Sequence, residues 1–132
     1  MELTNHYILD TNIVIYLLGG RLASPLPEGS YSVSIITEIE LLSFHQLSDN
    51  EEQQILEMLQ SINKILLTDD VSRKTIQLRR QNNKLKLPDA VIAATTIINN
   101  AILLTNDQAF SSITGLKTQC VKLLNSETEK NK

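Results

Sequence analysis

The chain has 132 residues, 42% of them apolar and 20% charged, with a formal net charge of −3. That length fits one domain with a sizeable core, and no apolar run approaches the ~20 residues that span a bilayer. The net charge supplies no bulk attraction for nucleic acid, the lone Cys120 excludes an intrachain disulfide, and no charged segment leads into a long apolar stretch, so a soluble cytoplasmic protein without a signal peptide is expected.

Tyr7-Ile8-Leu9 reads as a first strand ending at Asp10. Asn12 to Leu18 carries Ile13, Val14, Leu17 and Leu18 at helical spacing and stops at Gly19-Gly20. Ser24 to Ser30 is a loop with two prolines and a glycine. Tyr31, Val33 and Ile35 alternate with polar residues as a second strand, and Thr37 to Leu47 follows as a helix. Asp49 to Ser61 is a helix with Ile55, Leu56, Leu59 and Ile62 on one face, and Ile65-Leu66-Leu67 is a third strand. Val71 to Asn82 is a helix with Val71, Thr75 and Leu78 inward; Leu87 to Asn99 is the most apolar helix and is expected to be buried. Ala101 to Leu104 is a fourth strand, Asp107 to Phe110 a helical turn, and Gln119 to Leu123 a last edge strand. Cys120 is expected to be a plain buried thiol. Residues 1–125 form one expected domain, and 126–132 a polar, frayed tail. Alternating strands and helices predict an α/β fold, a three-layer α/β/α sandwich around a mostly parallel sheet.

Four carboxylates stand at the strand-to-helix junctions: Asp10, Glu40, Asp89 and Asp107. Groups at the C-terminal ends of parallel strands converge on one crevice. Four acids there need a cation, and an all-oxygen donor set suits Mg²⁺ or Mn²⁺. Each acid also has an ordinary explanation. Asp10 and Asp107 are positioned to cap helical turns. Thr37 and Glu40 have capping-box spacing. Asp89 follows Pro88 in the first turn of a helix, where the dipole favours an acid. Against these, Glu40 lies among Ile39, Leu41 and Leu42, where burying an unpaired acid is costly. Thr11-Asn12 and Thr105-Asn106 flank two of the acids as polar ligands or supporting donors.

The segments Ile8-Leu9-Asp10-Thr11-Asn12, Thr37-Glu38-Ile39-Glu40-Leu41, Leu87 to Thr95 and Leu103-Leu104-Thr105-Asn106-Asp107 resemble, in order and separation, the four signature blocks of the PIN-domain ribonucleases. The resemblance spans Tyr7 to about Leu123 and is nearest to the VapC-like toxins of toxin–antitoxin pairs. It implies a metal-dependent endoribonuclease with one or two Mg²⁺ or Mn²⁺ ions. It implies Asp10, Glu40 and Asp89 as core metal ligands, Asp107 as the fourth acid, and Thr11, Asn12, Thr105 and Asn106 as supporting residues. RNA, a cognate antitoxin and a second copy of the chain are the implied partners. The sequence departs from the family pattern in having Ser43-Phe44 where many relatives have a glycine, and Ala109 where many carry a further acid.

Arg73, Arg80 and Lys84 fall roughly along one face if the helix continues through them, and are candidate phosphate contacts; a solvated helix face explains them equally well. His6 and His45 are expected at the surface or core edge, and Tyr16 and Tyr31 as packing residues. Other functions fit less well. Asp10-Thr11-Asn12 faintly resembles the nucleophile loop of haloacid-dehalogenase phosphatases, but position 12 lacks the second aspartate. A receiver-like module lacks its acidic pair and late lysine. No glycine-rich loop follows a strand, which excludes phosphate-loop and dinucleotide functions. A catalytically degenerate PIN-like interaction module is the alternative.

Overall fold

The computed structural model describes residues 4–124. Its sheet contains β1 (His6–Leu9), β2 (Ser30–Ser34), β3 (Asn63–Ile65), β4 (Ile102–Leu104) and β5 (Thr118–Gln119). All four pairings are parallel and the order is β3-β2-β1-β4-β5. Helices α1 (Thr11–Leu18), α2 (Ile35–Leu42), α3 (Asp49–Gln60), α4 (Asp69–Gln81) and α5 (Leu87–Ile98) make the crossovers.

Alternation along the strands builds a core on each face of the sheet. Ile8 and Leu103 pack with α4, α5, Phe110 and Ile113. Tyr7, Leu9, Val33 and Leu104 pack on the other face with Ile13, Val14, Leu41 and Ile55 of α1, α2 and α3. Both faces being covered explains why β1 and β4 read as unbroken apolar runs. The result is the expected three-layer α/β/α sandwich. Among the described residues no helix is long and apolar enough to cross a membrane.

Chain order places the functional crevice. From β1 the chain moves outward through β2 to β3, then returns to lay β4 on the other side of β1. The order therefore reverses between β1 and β4, where α/β sheets bind ligands beyond their strand ends. Gly29, at the entry to β2, holds φ +155°, and a Cβ there would come within 2.4 Å of the Asn5 carbonyl oxygen. Only glycine fits that close approach.

Several boundaries differ from expectation. Ile35 opens α2 rather than closing β2, because the Ser34 hydroxyl accepts from the Ile36 N–H and caps the helix two residues before Thr37. That helix ends at Leu42, not Leu47. Ser48 caps α3, in a capping box with Glu51. β3 ends at Ile65, which leaves Leu66 and Leu67 exposed. β5 is shorter than expected, and Leu123 instead makes an isolated antiparallel bridge to Leu22. Cys120 is exposed, not buried, since it follows a two-residue edge strand. The predicted tail, 126–132, lies outside the described residues.

Candidate active site

Asp10 leaves β1 at the point of reversal and occupies the N-cap position of α1, yet its side chain makes no capping bond. Its Oδ2 instead accepts from the Thr105 hydroxyl at 2.7 Å, and Thr105 Oγ1 accepts from the Asp107 N–H at 3.0 Å. The backbone closes the same junction, with the Asp10 N–H donating to the Leu104 carbonyl at 3.1 Å. Thr105 thus ties the ends of β1 and β4 together. Asp10 is only 4% exposed. Burial raises its carboxyl above the ordinary range; Thr105 and the Thr11 backbone oppose that shift, and the charges of Asp89 and Asp107 add to it.

Glu40 enters from α2. Because the helix starts at Ile35, Thr37 is inside it and no Thr37–Glu40 capping box forms. The expected burial of Glu40 is also absent: Glu40 and Ile39 are both exposed, on the outer side of the short helix. Glu40 Oε1 accepts from the Thr11 hydroxyl at 2.6 Å, and Thr37 Oγ1 lies 3.0 Å from Thr11 Oγ1. A hydroxyl has one proton to donate. With that of Thr11 directed to the carboxylate, Thr37 donates to Thr11, giving a chain from buried Thr37 through Thr11 to Glu40.

Asp89 is the third residue of α5, half-buried, in a helix whose N-cap residue, Lys86, makes no side-chain capping bond. A helix dipole alone would lower its pKa. Instead burial raises it, the charges of Asp107 and Glu40 push it higher, and Lys86 partly offsets them. Asp107 is exposed and caps the 3₁₀ turn Gln108–Phe110, accepting from the Ala109 N–H at 2.9 Å through Oδ1. The capping explanation therefore holds for Asp107, and it uses one carboxylate oxygen.

The four acids form one electrostatic set in which Asp89 couples to all three others. Asp89 and Asp107 line a cleft of about 640 Å³ with Lys84 and Lys86, while Glu40 and Thr11 line an apolar groove of about 470 Å³ with Ile15 and Phe44. Among the described residues, no three acidic, histidine or cysteine side chains already form a metal cage. The donor chemistry nonetheless fits a hard divalent ion: the donors are carboxylate oxygens, and the burial that chiefly raises Asp10 and Asp89, together with the acids' mutual repulsion, is what a cation would offset.

The other predicted residues divide. Asn12 is exposed. Asn106 spends both amide atoms on the Val121 backbone, fastening the chain after β5. Arg73 pairs with Asp70 at 2.6 Å. Arg80 lines a separate groove with Ile76 and Leu87. Lys84 is not on a common helical face with these arginines, because α4 ends at Gln81; it lines the acidic cleft from a loop. His6 bonds Ser32 at 2.8 Å, His45 is exposed beside Phe44, and Tyr31 stacks on Tyr7 with ring centroids 5.4 Å apart. Sequence reasoning missed Thr37 as a donor, since it took that residue for a cap; its position one helical turn before Glu40 was the available signal.

The PIN domain family profile matches residues 7–116. Ribonuclease VapC1 of Haemophilus influenzae strain R2866 is 31% identical, across 86% of this chain and 96% of that protein. A toxin–antitoxin complex from Klebsiella pneumoniae contains a chain 31% identical, with a TM-score of 0.68 over 83% of this chain and 94% of that one. VapBC-1 from nontypeable Haemophilus influenzae gives 28% identity and a TM-score of 0.70, over 87% and 97%. At 23% identity, VapBC2 from Rickettsia felis, bound to a promoter DNA fragment, shares the fold with a TM-score of 0.73 over 89% and 99%.

Proposed function

From the premise that this chain belongs to the PIN-domain family, we propose that it is the ribonuclease toxin of a toxin–antitoxin pair, hydrolysing RNA phosphodiester bonds with Mg²⁺ or Mn²⁺. The observation that carries the reading is the coupling of Asp10, Asp89 and Asp107 at the sheet's point of reversal, with Glu40 joined through Asp89. The relatives include toxin–antitoxin complexes, and a cognate antitoxin is accordingly this chain's protein partner.

In this reading Asp10, Glu40, Asp89 and Asp107 hold the ion or ions. A bound divalent ion lowers the pKa of water and offsets charge that develops on the phosphate. The protein's own groups prepare that site. Thr105 fixes the Asp10 carboxylate through one oxygen, Oδ2. The Thr37–Thr11 chain orients Glu40. Asp107 keeps one oxygen on the Ala109 N–H and presents the other. Lys84 and Lys86 supply positive charge beside the acids, without which a polyanion would be repelled. Exposed Ile15, Ile39 and Leu56 on α1, α2 and α3, with exposed Phe44 in the loop after α2, support a protein-binding surface for the antitoxin and for a second copy of the chain. Residues 1–125 act as one domain.

Purified protein is expected to cut a mixed-sequence RNA with Mn²⁺ or Mg²⁺ and not with EDTA. Asp10→Asn and Asp89→Asn are each expected to abolish cutting, which also excludes a contaminating nuclease. Wild-type protein that neither cuts RNA nor gains thermal stability from Mn²⁺ would replace this reading with a degenerate interaction module, which the apolar groove would then serve.

A further inference from the structure

We infer that the cleft beside Asp89 and Asp107 receives one unpaired nucleotide of a single-stranded RNA, and that the last residue of α4 and the loop from α4 to α5 select its base. Gln81 and Asn83 meet the base edge, and Lys84 meets a phosphate. The inference rests on the ribonuclease reading of the acids and extends it to the substrate.

The loop is a fixed scaffold with free side chains. At Asn82 the backbone leaves the helix with φ −133° and ψ 86°, and the Asn82 amide folds back onto the Leu78 carbonyl at 3.0 Å. The Leu85 N–H bonds the Asn82 carbonyl at 3.0 Å, and the Leu85 side chain is buried in the core. Gln81, Asn83 and Lys84 are exposed on this scaffold, and among the described residues their side chains have no hydrogen-bond or ion-pair partner. Asn82 is already engaged with the Leu78 carbonyl.

The chemistry of the walls selects the ligand. An amide offers a donor and an acceptor together, as a base edge requires, whereas a lysine on a phosphate carries no base information. Exposed Ala109 supplies apolar contact, and no aromatic ring lines the cleft. The base is therefore held by its edge and by aliphatic contact rather than by ring stacking. The cleft's volume of about 640 Å³ suits one small ligand. A duplex fits less well because its Watson–Crick edges are paired and its major-groove edges lie in a deep, narrow groove that side chains cannot read. The groove on the Glu40 side has Glu40 and Glu51 and no lysine or arginine among its lining residues, so the polyanion runs along the Asp89 and Asp107 side.

The test uses the full chain and an unstructured RNA with all four bases randomised, cut in Mn²⁺ and mapped by position. Binding of a labelled single-stranded RNA and of its duplex is measured by anisotropy on a Glu40→Gln background, where RNA is bound without being cut. Asn83→Ala and Gln81→Ala are expected to reduce base preference at the cut sites by about tenfold. Lys84→Ala is expected to weaken all sequences alike and to lower the slope of log affinity against log salt by about 0.7. Duplex is expected to bind at least about tenfold more weakly. Wild-type cutting with an unchanged site pattern in both amide variants overturns the loop assignment and leaves the ribonuclease reading intact. Absence of cutting overturns the ribonuclease reading, and the binding arm then judges the cleft alone. Equal duplex affinity, or a salt slope unmoved by Lys84→Ala, overturns it there.

Discussion

Thr37 shows how a single hydroxyl changes meaning between sequence and structure. As a cap it would serve a helix end; buried, with Thr11 between it and Glu40, it serves a carboxylate. Thr37→Val keeps the shape and removes the proton that Thr11 accepts. It is expected to slow cleavage about 10- to 100-fold with a stability loss of only about 1 kcal/mol, while Thr37→Ser restores the rate. Equal rates in all three proteins would assign Thr37 to packing alone. Asp10 and Asp89 permit a test without RNA. Their carboxyls are raised, so the folded protein binds those protons more tightly than the unfolded chain. As pH rises from the ordinary carboxylate value through the raised one, the two groups therefore subtract stability, and they return it as pH falls. Glu51 in its capping box has the opposite sign, since its pKa is lowered, so the comparison must be made between proteins. In EDTA at pH 7, Asp89→Asn is expected to have a higher Tm than wild type, with the gap narrowing toward acid. A lower Tm for the variant would contradict the burial and repulsion that raise this carboxyl.

The elements were legible in the sequence wherever local chemistry decided them. The inward positions Val71, Thr75 and Leu78 of α4, and the buried run of α5, followed from spacing and composition. The start of α2 did not, because Ser34 and Thr37 are both competent caps and only packing chooses between them. Extending the α4 register to Lys84 failed for a related reason: Asn82 leaves the helix there, and the residues beyond it form a wall of the cleft. Gly29 is the clearest case of an element held by one residue. Gly29→Ala would drive a Cβ into the Asn5 carbonyl, 2.4 Å away, where neither strand can yield without breaking the pairing of β1 with β2. We expect a cost of at least about 1–3 kcal/mol and a fall in Tm of several degrees. A Tm equal to wild type would show that this strand entry relaxes freely.

At the scale of the whole molecule, the acids border two surfaces of opposite character, a polar cleft with two lysines beside two acids and an apolar groove. The first suits a polyanion and the second a protein. Phe44→Asp, on the groove and outside the acid set, is expected to weaken antitoxin binding about tenfold or more while leaving RNA cutting unchanged. Co-purification with the antitoxin, beside a cleavage assay, reads both. Loss of cutting without loss of binding would reverse the assignment of the two surfaces. The second copy of the chain is tested by light scattering, where a monomer at all micromolar concentrations would remove it.

The sequence by itself determined the layer architecture, the parallel sheet and the presence of an acid at each junction, because apolar periodicity, strand-helix alternation and residue type are local properties. Tertiary structure alone decided what those acids contact. Asp10 meets Thr105, 95 residues away, only because β4 lies beside β1. Glu40 meets Thr11 only because α2 is capped at Ser34. Asn106 became a clamp on Val121, and Lys84 part of the cleft, for the same reason. Hydrogen bonds and charge couplings act through a few ångströms of space, and sequence spacing does not measure that distance once a chain crosses from one edge of a sheet to the other.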